Sequence, residues 1–96
     1  MIICVDIDDT LLYSTLQPDG SYIVHGKNEK LIEKLNVMFT RGDTIYIYTA
    51  RHWLLYSLTK RQLDEAGIKF TSLLMGKLVA DVYIDDRGMR PDEFLG

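Results

Sequence analysis

The chain carries one cysteine, two prolines, two histidines and no excess of positive charge. A lone thiol, Cys4, excludes an internal disulfide framework and suits a reducing compartment. Its setting in the apolar run Ile2-Ile3-Cys4-Val5 predicts a buried core thiol. The formal net charge of −3 is the wrong sign for a protein whose main task is gripping nucleic acid, although it leaves room for a small basic site. No apolar run approaches the roughly 18 residues of a membrane span, and no charged-then-apolar leader precedes the first strand. The expectation is therefore a cytoplasmic protein. Repeats, low-complexity stretches and linkers are also missing, so residues 1–96 read as a single small domain. So short a chain buries a modest share of its surface, and self-association would help it.

What is present is an alternation of strands and helices. Ile2 to Ile7 is almost wholly apolar, the pattern of a central parallel strand covered on both faces. Gln17-Pro18-Asp19-Gly20 is a turn signal between short runs within Leu11 to His25 that can pair as a hairpin. Asn28 is a candidate cap for a helix carrying Leu31, Leu35, Met38 and Phe39 on one stripe, with Gly42 as its stop. Thr44 to Thr49 is β-branched and aromatic, as a second buried strand should be. A second helix is predicted from about Trp53 to Ala66, with Leu55, Leu58 and Ala66 in line and Leu63 drifting from it. A weaker strand follows near Lys69 to Leu73, and Val79 to Ile84 is predicted as the last strand. Short connections between such elements imply right-handed crossovers and an α/β, three-layer Rossmann-like parallel sheet with helices on both faces.

Ligands of such sheets bind beyond the carboxyl ends of the strands. Four pieces fall at strand ends or in the connecting loops: Asp6-Ile7-Asp8-Asp9-Thr10, Thr49, Lys77 and Asp85-Asp86. Together they suit phosphoryl transfer. A carboxylate can attack phosphorus and split hydrolysis into two easier steps if a cation offsets the repulsion between anions, and Asp6 is the candidate nucleophile. Mg²⁺ takes oxygen ligands, for which Asp6 and Asp85 are candidates, with Asp86 acting through water or as support. Asp8, two residues beyond Asp6, suits general acid-base work. Thr49 would hydrogen-bond a phosphoryl oxygen, and Lys77 would neutralise its charge. Each residue alone also has a plain reading as a turn former, helix cap or surface charge.

The set Asp6-x-Asp8-x-Thr10, Thr49, Lys77 and Asp85-Asp86, in that order, resembles the haloacid-dehalogenase superfamily of aspartate-nucleophile phosphatases over nearly the whole chain. Gly76-Lys77, Asp81 to Arg87 and Arg90 to Phe94, with Thr49-Ala50-Arg51, further resemble small bacterial and phage capsule-biosynthesis phosphatases. The resemblance implies Mg²⁺, an aspartyl-phosphate intermediate and metal ligation by Asp6, the Asp8 backbone carbonyl and Asp85; Thr49, Ala50, Arg51 and Lys77 are the candidate substrate-binding residues. Asp9 stands where many relatives have glycine. Many relatives also carry a cap domain, for which neither gap in this chain has room, and the hairpin reads as a flap beside an open site. Such a mouth suits a large substrate, such as a phosphorylated saccharide, or a neighbouring subunit acting as lid in a dimer or tetramer.

Arg51 is open between substrate contact and a surface ion pair. His25 and His52 read as structural or loop positions, with substrate contact open for His52, and Tyr46 and Tyr48 as packing residues. Trp53 reads as helix-sheet packing or as lining of the mouth. Three functions stay in play: a phosphatase on a sugar or saccharide intermediate, a phosphatase of nucleic-acid ends, and a non-catalytic phosphate-binding or receiver-like module. Chain order separates the last, because here the acid-x-acid pair ends the first strand and Lys77 precedes the final acid pair.

Overall fold

A computed structural model describes all residues, 1–96. Three parallel strands, β1 (Ile2–Val5), β4 (Thr44–Tyr48) and β5 (Ser72–Leu74), form a sheet in the order β1-β4-β5. An antiparallel hairpin of β2 (Leu12–Leu16) and β3 (Tyr22–Lys27) leaves the first strand end. The helices are α1 (Glu29–Thr40), α2 (Tyr56–Glu65), which follows a 3₁₀ turn at Trp53–Leu55, and the short α3 (Pro91–Leu95). This is the α/β, Rossmann-like arrangement the alternation predicts, with a flap hairpin and no cap domain. No helix is long and apolar enough to cross a membrane.

The period-2 pattern of β4 decides its two faces. Ile45 and Ile47 are fully buried, whereas Tyr46 is half-buried and Tyr48 exposed. Opposite them, α1 begins where the Asn28 side chain accepts a hydrogen bond from the Leu31 amide at 3.2 Å. Its buried stripe is Leu31, Ile32, Leu35 and Met38, and it ends before Gly42, whose φ of 104° only glycine adopts readily. These residues, with Ile7, Leu11, Leu12, Leu63, Ile68 and Leu73, make one continuous core. The hairpin turn falls at Gln17 to Ser21, where Gly20 has φ 88° and the Asp19 carboxylate accepts from the Ser21 amide at 2.9 Å.

The second helix departs from its expected stripe. Leu63, not Leu55 or Leu58, reaches the core, in line with Thr59 and Ala66. The reason is the 3₁₀ turn, capped by the His52 imidazole, which accepts from the Leu54 amide at 3.1 Å. Its tighter winding places Leu55 before the α-helix begins, so the stripe runs at i, i+4, i+7 from Thr59.

Two larger corrections concern the sheet's far side. The expected strand at Val79 to Ile84 is not formed, and Ile84 is 93% exposed. Local contacts satisfy this stretch instead: the Tyr83 hydroxyl donates to the Leu78 carbonyl and accepts from the Ala80 amide at 3.2 Å, folding the segment onto itself. β1 is consequently an edge strand rather than a central one. One of its faces is also open, with Ile2 70% exposed and Cys4 exposed rather than buried. Beyond the segment, α3 returns to the body, where the Lys34 ammonium donates to the Phe94 carbonyl and lies 4.2 Å from the centre of the Phe94 ring.

Candidate active site

The loop after β1 is shaped by its own backbone. The carbonyl of buried Ile7 accepts from the amides of Thr10, Leu11 and Leu12 at 3.1, 2.8 and 3.0 Å. Asp9 takes the left-handed conformation, φ 62°, that such a tight reversal demands, and its amide reaches the Leu12 carbonyl at 2.9 Å. Aspartate tolerates that region better than most side chains. This accounts for a non-glycine residue there without distortion of the loop. Asp6 and Asp8 flank Ile7, both half-buried.

Burial pushes the Asp6 carboxyl above its ordinary 3.8. A hydrogen bond from the Ile7 amide, at 2.8 Å to Oδ1, and the Lys77 charge oppose this, while Asp8 and Asp9 add to it. Ionised Asp6 thus stands in a place where positive charge is welcome. Lys77 supplies some from a distance, its ammonium resting 5.6 Å from the Tyr48 ring centre and 4.6 Å from that of Tyr83.

Thr49 is fully buried just past β4. Its amide donates to the Leu74 carbonyl at 2.9 Å, its carbonyl accepts from the Lys77 amide at 2.8 Å, and its hydroxyl accepts from the Arg51 amide at 3.1 Å. The hydroxyl keeps its own proton to donate. The Arg51 carbonyl accepts from the Gly76 amide at 3.1 Å, so the turn carrying Thr49, Ala50 and Arg51 is stitched to the loop that carries Lys77.

The strongest ionic feature of the rim joins Arg51 to Asp8. Nε donates to Oδ2 at 3.0 Å and one terminal nitrogen donates to Oδ1 at 2.8 Å, a fork-on-carboxylate pair. Its other terminal nitrogen donates to the Thr59 hydroxyl at 3.2 Å and to Gln62 Oε1 at 2.6 Å. The guanidinium lies 4.1 Å from the Tyr22 ring centre, and its side chain is 0% exposed against 26% for Asp8. Ser14 also donates to Asp8 Oδ1. Removing one partner of such a buried pair strands a charge, typically at a cost of about 3–5 kcal/mol.

The remaining acids lie elsewhere. Asp85 Oδ1 accepts from the Arg87 and Gly88 amides, at 2.5 and 3.1 Å, and Asp86 sits 4.0 Å from the Arg87 Nε; both acids are exposed. No group of three or more His, Cys, Asp or Glu residues is gathered as a metal cluster. The structure therefore brings together Asp6, Asp8, Thr49, Ala50, Arg51 and Lys77, and leaves Asp85 and Asp86 apart. His25 is exposed on β3, and His52 caps the 3₁₀ turn while stacking on exposed Trp53 at 5.5 Å between ring centres. Thr59 and Gln62 escaped the sequence reading, which placed Ser14 and Tyr22 only within the flap. The one available sign was a threonine on the inward stripe of α2, where a hydroxyl needs a polar partner.

No family model and no curated protein matches the chain. Among solved structures, an MCSG target protein from Vibrio cholerae is similar at a TM-score of 0.77 and 27% identity, covering 98% of this chain and 86% of that one. A probable YrbI family phosphatase from Pseudomonas syringae pv. phaseolica is similar in fold at a TM-score of 0.55 and 22% identity, covering 79% of this chain and 41% of that one.

Proposed function

We propose that the chain is a Mg²⁺-dependent phosphomonoester hydrolase that works through an aspartyl-phosphate on Asp6. The observation that carries this reading is the convergence of Asp6, Asp8, Thr49 and Lys77 on one rim, at the carboxyl ends of β1 and β4 and in the loop after β5. The fold shared with a probable phosphatase agrees with it.

In the first half-reaction an Asp6 oxygen bonds to phosphorus as the bond to the ester oxygen breaks, and Asp8 gives that oxygen a proton. In the second, Asp8 takes a proton from water, whose oxygen bonds to phosphorus, releasing inorganic phosphate and Asp6. Lys77 offsets the phosphate charge, and the Thr49 hydroxyl, fully buried in this structure, would donate to a phosphoryl oxygen once the rim opens above it.

An all-oxygen donor set suits Mg²⁺, and the raised Asp6 carboxyl is one that a cation favours in its ionised form. When bound, the ion supplies charge compensation between nucleophile and phosphate. Asp6, the Asp8 carbonyl and Asp85 would hold it, with Asp86 beside them. For Asp85 to take part, Val79 to Ile84 must leave its present fold and add to the free edge of β1.

The substrate we favour is a phosphorylated sugar or saccharide-biosynthesis intermediate, since the uncapped rim admits bulky groups. A second copy of the chain, in a dimer or tetramer, would serve as lid, and Trp53 and Leu54, both exposed in the turn that follows Arg51 and His52 in the chain, offer it a surface. Phosphate release from p-nitrophenyl phosphate tests the chemistry. Wild-type protein should turn it over only with Mg²⁺, and Asp6→Asn should be inactive; undiminished release by that variant removes Asp6 from the mechanism.

A further inference from the structure

We infer that Arg51 is a positioning residue for Asp8, setting which lobe of that carboxylate handles the proton and tying it to both the flap hairpin and α2. The inference rests on the reading of Asp8 as the acid-base group. A carboxylate offers about four acceptor sites. Three on Asp8 are filled: Oδ1 by Ser14 and Arg51, and Oδ2 by Arg51 Nε. One lobe of Oδ2 is left. Because the side chain keeps 26% of its surface exposed, that lobe is where a proton can be carried to and from the rim.

The guanidinium is in turn held on its far side. Thr59 and Gln62 accept from it, and Gln62 Nε2 donates to the Tyr22 carbonyl at 2.8 Å while the Tyr22 ring covers the guanidinium face. Ser14 and Tyr22 both belong to the hairpin, whereas Thr59 and Gln62 belong to α2. Four of the five N–H groups of Arg51 are committed within the protein, and the side chain is fully buried. Such a guanidinium is poorly placed to grip a phosphate and well placed to hold a neighbour still. A lysine at this position keeps the charge but cannot make the two parallel bonds.

Leaving-group dependence tests this. An alkoxide cannot depart without a proton, whereas p-nitrophenolate can, so a misaligned Asp8 should hurt alkyl phosphates selectively. With Mg²⁺ present, Arg51→Lys should lower kcat/KM for glycerol phosphate by at least ~10²-fold, while kcat/KM for p-nitrophenyl phosphate falls by less than ~10-fold. Gln62→Leu keeps Arg51 and Asp8 but removes the anchor; it should show the same selectivity at about 10-fold, and it decides the matter if Arg51→Lys does not fold. Equal losses on both substrates, or no loss on either, would make Arg51 a structural residue only and overturn the inference. A wild-type protein inert toward both substrates would instead defeat the phosphatase reading itself.

Discussion

The rim around Asp8 and the segment from Leu78 to Arg90 contain similar residues and meet opposite fates. At the rim, aspartate, arginine and tyrosine interlock through α2 and the hairpin, and the arginine is fully buried. In the segment, Asp85, Asp86, Arg87 and Tyr83 bond only to near neighbours and stay in solvent. The difference is one of enclosure: charge-assisted bonds hold a shape when water is kept from competing, and do little when it is not. Position along the chain shows which acids exist. Surrounding elements decide which of them become a site.

Removing apolar atoms from each region gives the widest contrast. Ile45→Ala, in the sealed face of β4, should cost about 2–5 kcal/mol in urea unfolding, whereas Ile84→Ala should stay within about 0.5 kcal/mol of wild type. A costly Ile84→Ala would mean that the segment packs somewhere in solution. A second experiment asks whether the segment can be recruited. If Asp85 joins Asp6 around Mg²⁺, millimolar Mg²⁺ should slow hydrogen exchange at amides of Val79 to Ile84 and along β1, and Asp85→Asn should erase that protection. Exchange that ignores Mg²⁺ would confine any metal site to the loop after β1.

The smallest effect is electrostatic. Burial holds the Asp6 carboxyl above 3.8, so the folded protein binds that proton more tightly than the unfolded chain. Ionising it therefore costs stability: in metal-free protein the cost is absent below 3.8 and grows as pH climbs through the raised value. Asp6→Asn should accordingly melt slightly higher than wild type near neutral pH in EDTA, and the gap should close in acid below 3.8. A gap that is constant with pH would assign the gain to packing.

Much of this arrangement was legible because it is written in local chemistry. The Asn28 cap, the Gly42 stop, the turn at Gly20 and the β-branched run of β4 each follow from neighbours in sequence. Asp6, Asp8, Thr49 and Lys77 were marked by their place at strand and loop ends. Three features were not legible for a common reason. The exposure of Cys4, the loose segment holding Ile84 and the turning inward of Arg51 all depend on which distant element lies alongside. An apolar run announces a capacity to be buried, and only a partner strand realises it. In the same way, Arg51 stays open between substrate contact and a surface ion pair until Thr59, Gln62 and Tyr22 enclose it.

The Ile7 carbonyl that gathers three amides has a consequence for how this chain can vary. A reversal fixed by main-chain atoms asks little of the side chains that ride on it. Asp9 is the exception, because a φ of 62° admits little beyond Gly, Asn or Asp, whereas Thr10 is a position where a substitution would change what meets an incoming molecule while Asp6 and Asp8 keep their stations. The same bend is thus closed to most side chains at one residue and open to them at the next.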